Sequence, residues 1–218
     1  MSAGSQRRPV KRALAAAGGV LAAALGAWSA WGLYTTRTVE RVPYETERRV
    51  DGVEVRRYPR TVLVETTAPD ERTAFRRLFR YIDGENDGGE SIAMTAPVES
   101  GDRRPGESIE TTAPVRTDES ADGTRMAFYL PAEYGPGDAP VPTDPSVRLI
   151  VEPPRTVAVY GFSWFATDGR VRRARERLLS TLTAEGIDPA GSPSLLRYDD
   201  PRTPPFLRTN EVAVEVEA

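Results

Sequence analysis

The sequence predicts an α+β fold in which an antiparallel sheet carries two amphipathic helices. Three observations point there. Two stretches with apolar residues at helical spacing each follow β-branched, strand-like segments. The segment PRTVLV (Pro59–Val64) returns as PRTVAV (Pro154–Val159), with the same order of elements around it. Gly, Pro and Asp–Gly signals punctuate what lies between.

Residues 13–33 contain no charge and one serine among 21 residues. At about 1.5 Å per residue they match a bilayer core of roughly 30 Å. Trp28, Trp31 and Tyr34 cluster at the far end, like an interfacial aromatic belt, and Arg7, Arg8, Lys11 and Arg12 precede it. This reads as one N-terminal transmembrane helix, with a cytoplasmic N-terminus and the body on the outer face. The alternative is a cleaved signal peptide, which would leave the body secreted. The expected organisation is a basic N-terminus and membrane anchor over 1–36 and one domain over 37–218.

In the body, residues 35–52 read as a polar link. Val53–Tyr58 alternates as a strand should, and Thr61–Thr67 is β-branched, with Pro59 marking a bend between them. Asp70 is a good N-cap for a helix from Glu71 to Ile82, with Phe75, Leu78, Phe79 and Ile82 as its apolar face. Gly89–Val98 (GESIAMTAPV) and Gly106–Val115 (GESIETTAPV) agree at eight of ten positions and are expected to form paired strands, followed by an acidic loop at Asp118–Gly123. Met126–Leu130 reads as a strand, and Pro131–Pro145 holds five prolines in 15 residues, a loop. The second half supplies strands at Val147–Val151 and after Pro154, then a helix from Asp168 to Ala184 with Val171, Ala174, Leu178 and Leu182 inward. Arg172, Arg173, Arg175 and Arg177 surround that stripe as a solvated face, and Gly186 stops the helix. An irregular stretch, Leu195–Arg208, leads to the strand Glu211–Val216.

Composition excludes whole classes of chemistry. The 218 residues include no His and no Cys. That removes Ser-His-Asp catalysis, thiolate zinc, iron–sulfur ligation, disulfides and His-ligated haem. Residues 1–34 hold four bases and no acid, leaving 25 bases against 32 acids in the rest. A mildly acidic body argues against nucleic acid as a partner. No phosphate loop, metal-ligand cluster or paired-carboxylate site is visible, so the chain does not read as an enzyme.

Five blocks in order resemble the SOUL haem-binding protein family: AFRRLFRYIDGEND (Ala74–Asp87), IAMTAPV (Ile92–Val98), MAFYLPAEY (Met126–Tyr134), VPTDPSVRL (Val141–Leu149) and YDDPRTPPFLRTNEVAVEV (Tyr198–Val216). The resemblance implies a distorted antiparallel β-barrel of two pseudo-duplicated halves, flanked by two helices. It also implies haem or another tetrapyrrole, held reversibly in an apolar cleft. An apolar residue followed by a base, just before a Tyr on the first helix, is proposed to cover the ring and hold a propionate; the matching residues here are Phe79, Arg80 and Tyr81. Arg72 matches a base near the start of that helix. Pro204 falls where a further base is expected, so Arg202 or Arg208 would substitute. Arg76 and Phe75 complete a helix face with guanidinium groups beside aromatic rings, suited to a flat apolar plate bearing two carboxylates. Without His, the remaining iron ligands are Tyr81, Met94 and Met126, the two methionines reading foremost as core residues. The expected function is a membrane-tethered haem buffer, carrier or scavenger. The alternative is a non-haem small-ligand sensor or protein-interaction module on the same fold.

Overall fold

The computed structural model describes residues 27–29, 40–101, 107–108, 123–199 and 202–217. Its strands are β1 (Glu40–Arg41), β2 (Glu45–Val50), β3 (Val53–Tyr58), β4 (Thr61–Ala68), β5 (Thr95–Ala96), β6 (Val98–Ser100), β7 (Glu107–Ser108), β8 (Thr124–Tyr129), β9 (Val147–Glu152), β10 (Arg155–Phe162), β11 (Ser194–Arg197) and β12 (Asn210–Glu215). Helix α1 spans Glu71–Ile82 and α2 spans Asp168–Ala184, as the sequence predicts.

Ten strands form one sheet in the order β2-β3-β10-β12-β11-β6-β8-β4-β9-β7, and β1 pairs with β5 in parallel as a separate ribbon. All pairings in the large sheet are antiparallel. The order is symmetric about the β11–β6 junction. β10, β12 and β11 on one side correspond to β4, β8 and β6 on the other. The duplication read from PRTV is therefore the structural one, because β4 and β10 begin in those segments. The first strand of each half crosses to the other: β3 pairs with β10, and β9 with β4.

The expected barrel is not closed. Among the described residues no pairing joins the outer strands β2 and β7, so the sheet is open. Among the described residues the two GES repeats do not pair with each other either. β6 pairs with β8 and β11, whereas β7 pairs with β9. Pro97 has no N–H to donate and divides the first repeat into β5 and β6. The rest of the second repeat and residues 118–122 of the acidic loop lie outside the described residues. The polar link contains two strands after all, β1 and β2; β2 is exposed from Glu45 to Arg49 and half-buried only at Val50, so it lacks the alternation that marks a half-buried strand. Likewise β11 lies inside the stretch expected to be irregular, with Leu195 and Leu196 both buried.

One face of the sheet carries both helices. α1 covers a core of Val62, Val64, Met126, Phe128, Val147 and Leu149. α2 covers Val53, Val55, Ala158, Val212 and Val214. The opposite face mixes apolar residues (Tyr58, Leu63, Ile150, Val157, Leu196) with buried charge. Arg125 lies 2.8 Å from Glu65 and 3.1 Å from Glu99, and the Tyr129 hydroxyl donates to Glu99 at 2.6 Å. In the other half Arg56 grips Glu211 with two 2.9 Å bonds, and Tyr198 donates to the same carboxylate. Burial and the Glu211 charge both push the Tyr198 hydroxyl far above its ordinary range. Charges placed this deep persist because each is paired and hydrogen-bonded.

Candidate functional site

Helix α1 is positioned by its cap and its buried stripe. Asp70 adopts extended backbone, and its side chain accepts from the Thr73 N–H at 2.9 Å. These hydrogen bonds hold the Asp70 carboxyl below its ordinary range. Ala74, Leu78, Tyr81 and Ile82 are buried. The inward stripe is thus turned by one position from the expected one: Leu78 and Ile82 face the core, but Phe75 and Phe79 do not. They are 39% and 44% exposed. Their rings stack, with centroids 6.0 Å apart at 17°, and the Phe75 ring meets Phe128 edge-on at 5.3 Å. Phe128 is in the core, so the exposed pair is braced from beneath.

Arg72, Arg76 and Arg80 are all exposed along the same helix. Arg80 is occupied: it lies 3.1 Å from Asp144 and 3.4 Å from Glu85. Asp144 is partly desolvated, which opposes ionisation, yet hydrogen bonds from Ser146 and the charges of Arg77 and Arg80 hold its carboxyl below the usual range. Among the described residues neither Arg72 nor Arg76 has an acidic partner within 4.0 Å.

The proposed iron ligands separate sharply. Tyr81 is 1% exposed and donates to the Pro140 carbonyl at 2.8 Å, and burial pushes its hydroxyl well above its ordinary range. Its ring lies in the core and its hydroxyl is satisfied within the fold. Met126 is buried at 2%. Met94, expected in the core, is 37% exposed, because residues 91–94 run as irregular chain before β5. No group of three or more acidic side chains able to hold a metal occurs among the described residues.

Arg202 is exposed. Its carbonyl accepts from the Trp28 indole at 2.8 Å. Arg208 donates to the Thr203 carbonyl and covers the Phe165 ring at 4.6 Å. What the helix offers a porphyrin is therefore an aromatic pair at the surface with Arg72 and Arg76 beside it. That chemistry fits an apolar plate with carboxylates.

A second concavity was not foreseen. A groove of about 530 Å³ lies between the starts of the two helices. Val171, Leu179 and Leu195 supply its apolar part. Arg172, Arg175 and Arg197 face Glu71, Asp168 and Glu176 around it, and Arg197 is 2.9 Å from Glu71. The run of arginines in α2 is therefore only partly a solvated face. The signal available in the sequence was Arg172 and Arg175 at i, i+3, which lie on one side of a helix.

A family model described as SOUL heme-binding protein matches residues 39–215. The fold is similar to that of the EcmrR C-terminal domain, with a TM-score of 0.50 and 12% identity over 80% of this chain and 98% of that one. It is similar also to an uncharacterized conserved protein from Listeria innocua, with a TM-score of 0.50 and 10% identity over 75% of this chain and 92% of that one. At such identities the likeness is one of fold alone. No curated protein matches the chain in sequence.

Proposed function

Because the chain belongs to the SOUL haem-binding family, we propose that it holds haem or a related tetrapyrrole reversibly on the exposed face of α1. The observation that carries this reading is the Phe75–Phe79 stack left at the surface by a helix whose other large apolar residues are buried. The rings cover the plate, and Arg72 and Arg76 meet its carboxylates. When bound, haem would bring redox-active iron, but the chain offers it no imidazole or thiolate. Weak or absent axial ligation suits a buffer or carrier, since it allows release, and the chain binds rather than converts its ligand. The residues 13–33 tether the body to a membrane, with the body on the outer face. No helix among the described residues is long and apolar enough to span one, so this part rests on the sequence.

A haem titration followed by Soret absorbance tests the reading. Saturable binding at micromolar haem is expected, lost in Phe75→Ala/Phe79→Ala while circular dichroism stays unchanged. Non-saturable uptake by the unaltered protein would sink it. The inter-helix groove supports a second reading, a small-ligand module: its three bases and three acids suit a polar or zwitterionic molecule better than an apolar plate. Haem binding that survives loss of both phenylalanines but falls on altering Arg175 would favour the groove.

A further inference from the structure

Four of the large hydrophobic side chains left at the surface converge on one end of the molecule. Trp164, Phe165 and Phe206 are 48%, 47% and 48% exposed, and Trp28 is 42% exposed. They are joined through the backbone. The Trp164 N–H donates to the Pro205 carbonyl at 3.1 Å, and the Asn210 amide donates to the Trp164 carbonyl at 2.8 Å. Trp164 has φ +76°, a backbone conformation that bulky residues avoid. The two hydrogen bonds hold it there, with its indole half in solvent. Cations frame the rings: Arg170 lies 5.7 Å from the Trp164 ring and Arg208 lies 4.6 Å from the Phe165 ring.

Trp28 connects this surface to the apolar segment. It sits within residues 13–33, and its indole donates to the Arg202 carbonyl of the same loop. The part of the body that meets Trp28 is therefore the aromatic one. Water alone would favour burying such rings. An interface between water and lipid suits them, because Trp is apolar in body and polar at one edge. Arginines beside them complement anionic headgroups.

We propose that the Trp164–Phe165 turn and the Thr203–Arg208 loop dock on an anionic lipid bilayer at headgroup depth. The proposal rests on reading residues 13–33 as a membrane anchor. It fixes the body's orientation: both helices begin near the bilayer, since Arg197 beside this loop pairs with Glu71 at the start of α1, and α2 begins four residues after Trp164.

The chain has three tryptophans, so full-length protein carrying Trp28→Phe and Trp31→Phe reports Trp164 alone. It is reconstituted into phosphatidylcholine vesicles with and without phosphatidylglycerol, using lipids brominated near the headgroup. The expected result is a blue-shifted Trp164 emission that is quenched by the brominated lipid. Quenching is stronger with phosphatidylglycerol and weaker in Arg170→Glu or at high salt. The chain contains no Cys, so Phe206→Cys with an environment-sensitive fluorophore gives an independent reading in the presence of the native tryptophans. If the protein floats with the vesicles but neither probe senses lipid, the docking surface is refuted and the anchor stands. If the protein does not float, both fail together.

Discussion

Helices α1 and α2 bury the same pattern and present opposite surfaces. The buried residues are Ala74, Leu78, Tyr81 and Ile82 in one, and Ala174, Leu178, Thr181 and Leu182 in the other. The positions between them diverge: Phe75 and Phe79 in α1 stand where α2 has Arg175 and Leu179. The stripe that packs on the sheet is thus shared by the two halves, while the residue types beside it are not. Packing dictates the first. The second is free to serve binding, and this is why the exposed Phe pair is the informative feature of the molecule.

The largest effects should fall on the charged face shared by both halves. Glu99→Ala and Glu211→Ala each take one carboxylate from a buried guanidinium, leaving Arg125 with Glu65 and Arg56 with Glu54, and also remove the acceptor of a tyrosine hydroxyl; together these losses should cost about 3–5 kcal/mol in urea unfolding. A loss below about 1 kcal/mol in either would show that the remaining carboxylate is enough to hold its guanidinium. Next come Leu78→Ala and Leu178→Ala, each fully buried, at about 2–5 kcal/mol by the same measurement. Smaller in energy but sharper in meaning is an exchange of surfaces. Phe75→Arg/Phe79→Leu, which gives α1 the residues of α2, should weaken haem about tenfold or more, about 1.4 kcal/mol. Arg175→Phe/Leu179→Phe should leave haem affinity unchanged if α1 is the site.

The smallest difference lies at the caps. Asp70 caps α1 through its side chain, whereas Thr167 makes no such bond to α2. Thermal unfolding should be lowered by Asp70→Ala and hardly moved by Thr167→Ala. The folded Asp70 carboxyl ionises more readily than the unfolded one. Its contribution is therefore complete above the unfolded value, about 3.9, and is lost as pH falls through the lower folded value. The gap between wild type and Asp70→Ala should close below about pH 4.

Both helices, most strands and the duplication were legible in the sequence because they rest on periodicity, caps and repetition. Asp70 announced α1, and PRTV announced the halves. What was not legible depended on which side of a residue faced its neighbours. Phe75 and Phe79 have the spacing of a core face, and only tertiary packing shows that Ala74 and Tyr81 take it. Tyr81 follows Arg80 as the family resemblance requires, yet its hydroxyl is spent on Pro140. β2 escaped notice because an edge strand exposed at five successive residues, Glu45–Arg49, has no alternation. The groove between the helices joins residues from Glu71 to Arg197, distant in sequence, so no local pattern could show it.

The crossing of β3 to β10 and of β9 to β4 has a thermodynamic consequence. Each half completes its sheet with a strand contributed by the other, as two swapped subunits do. One half alone would expose the flank of β4 or β10, and two copies would close on each other. The connection between β8 and β9 therefore acts as a covalent tether between virtual subunits. It replaces a bimolecular equilibrium by a fixed effective concentration, so the paired architecture survives dilution that would separate an untethered pair.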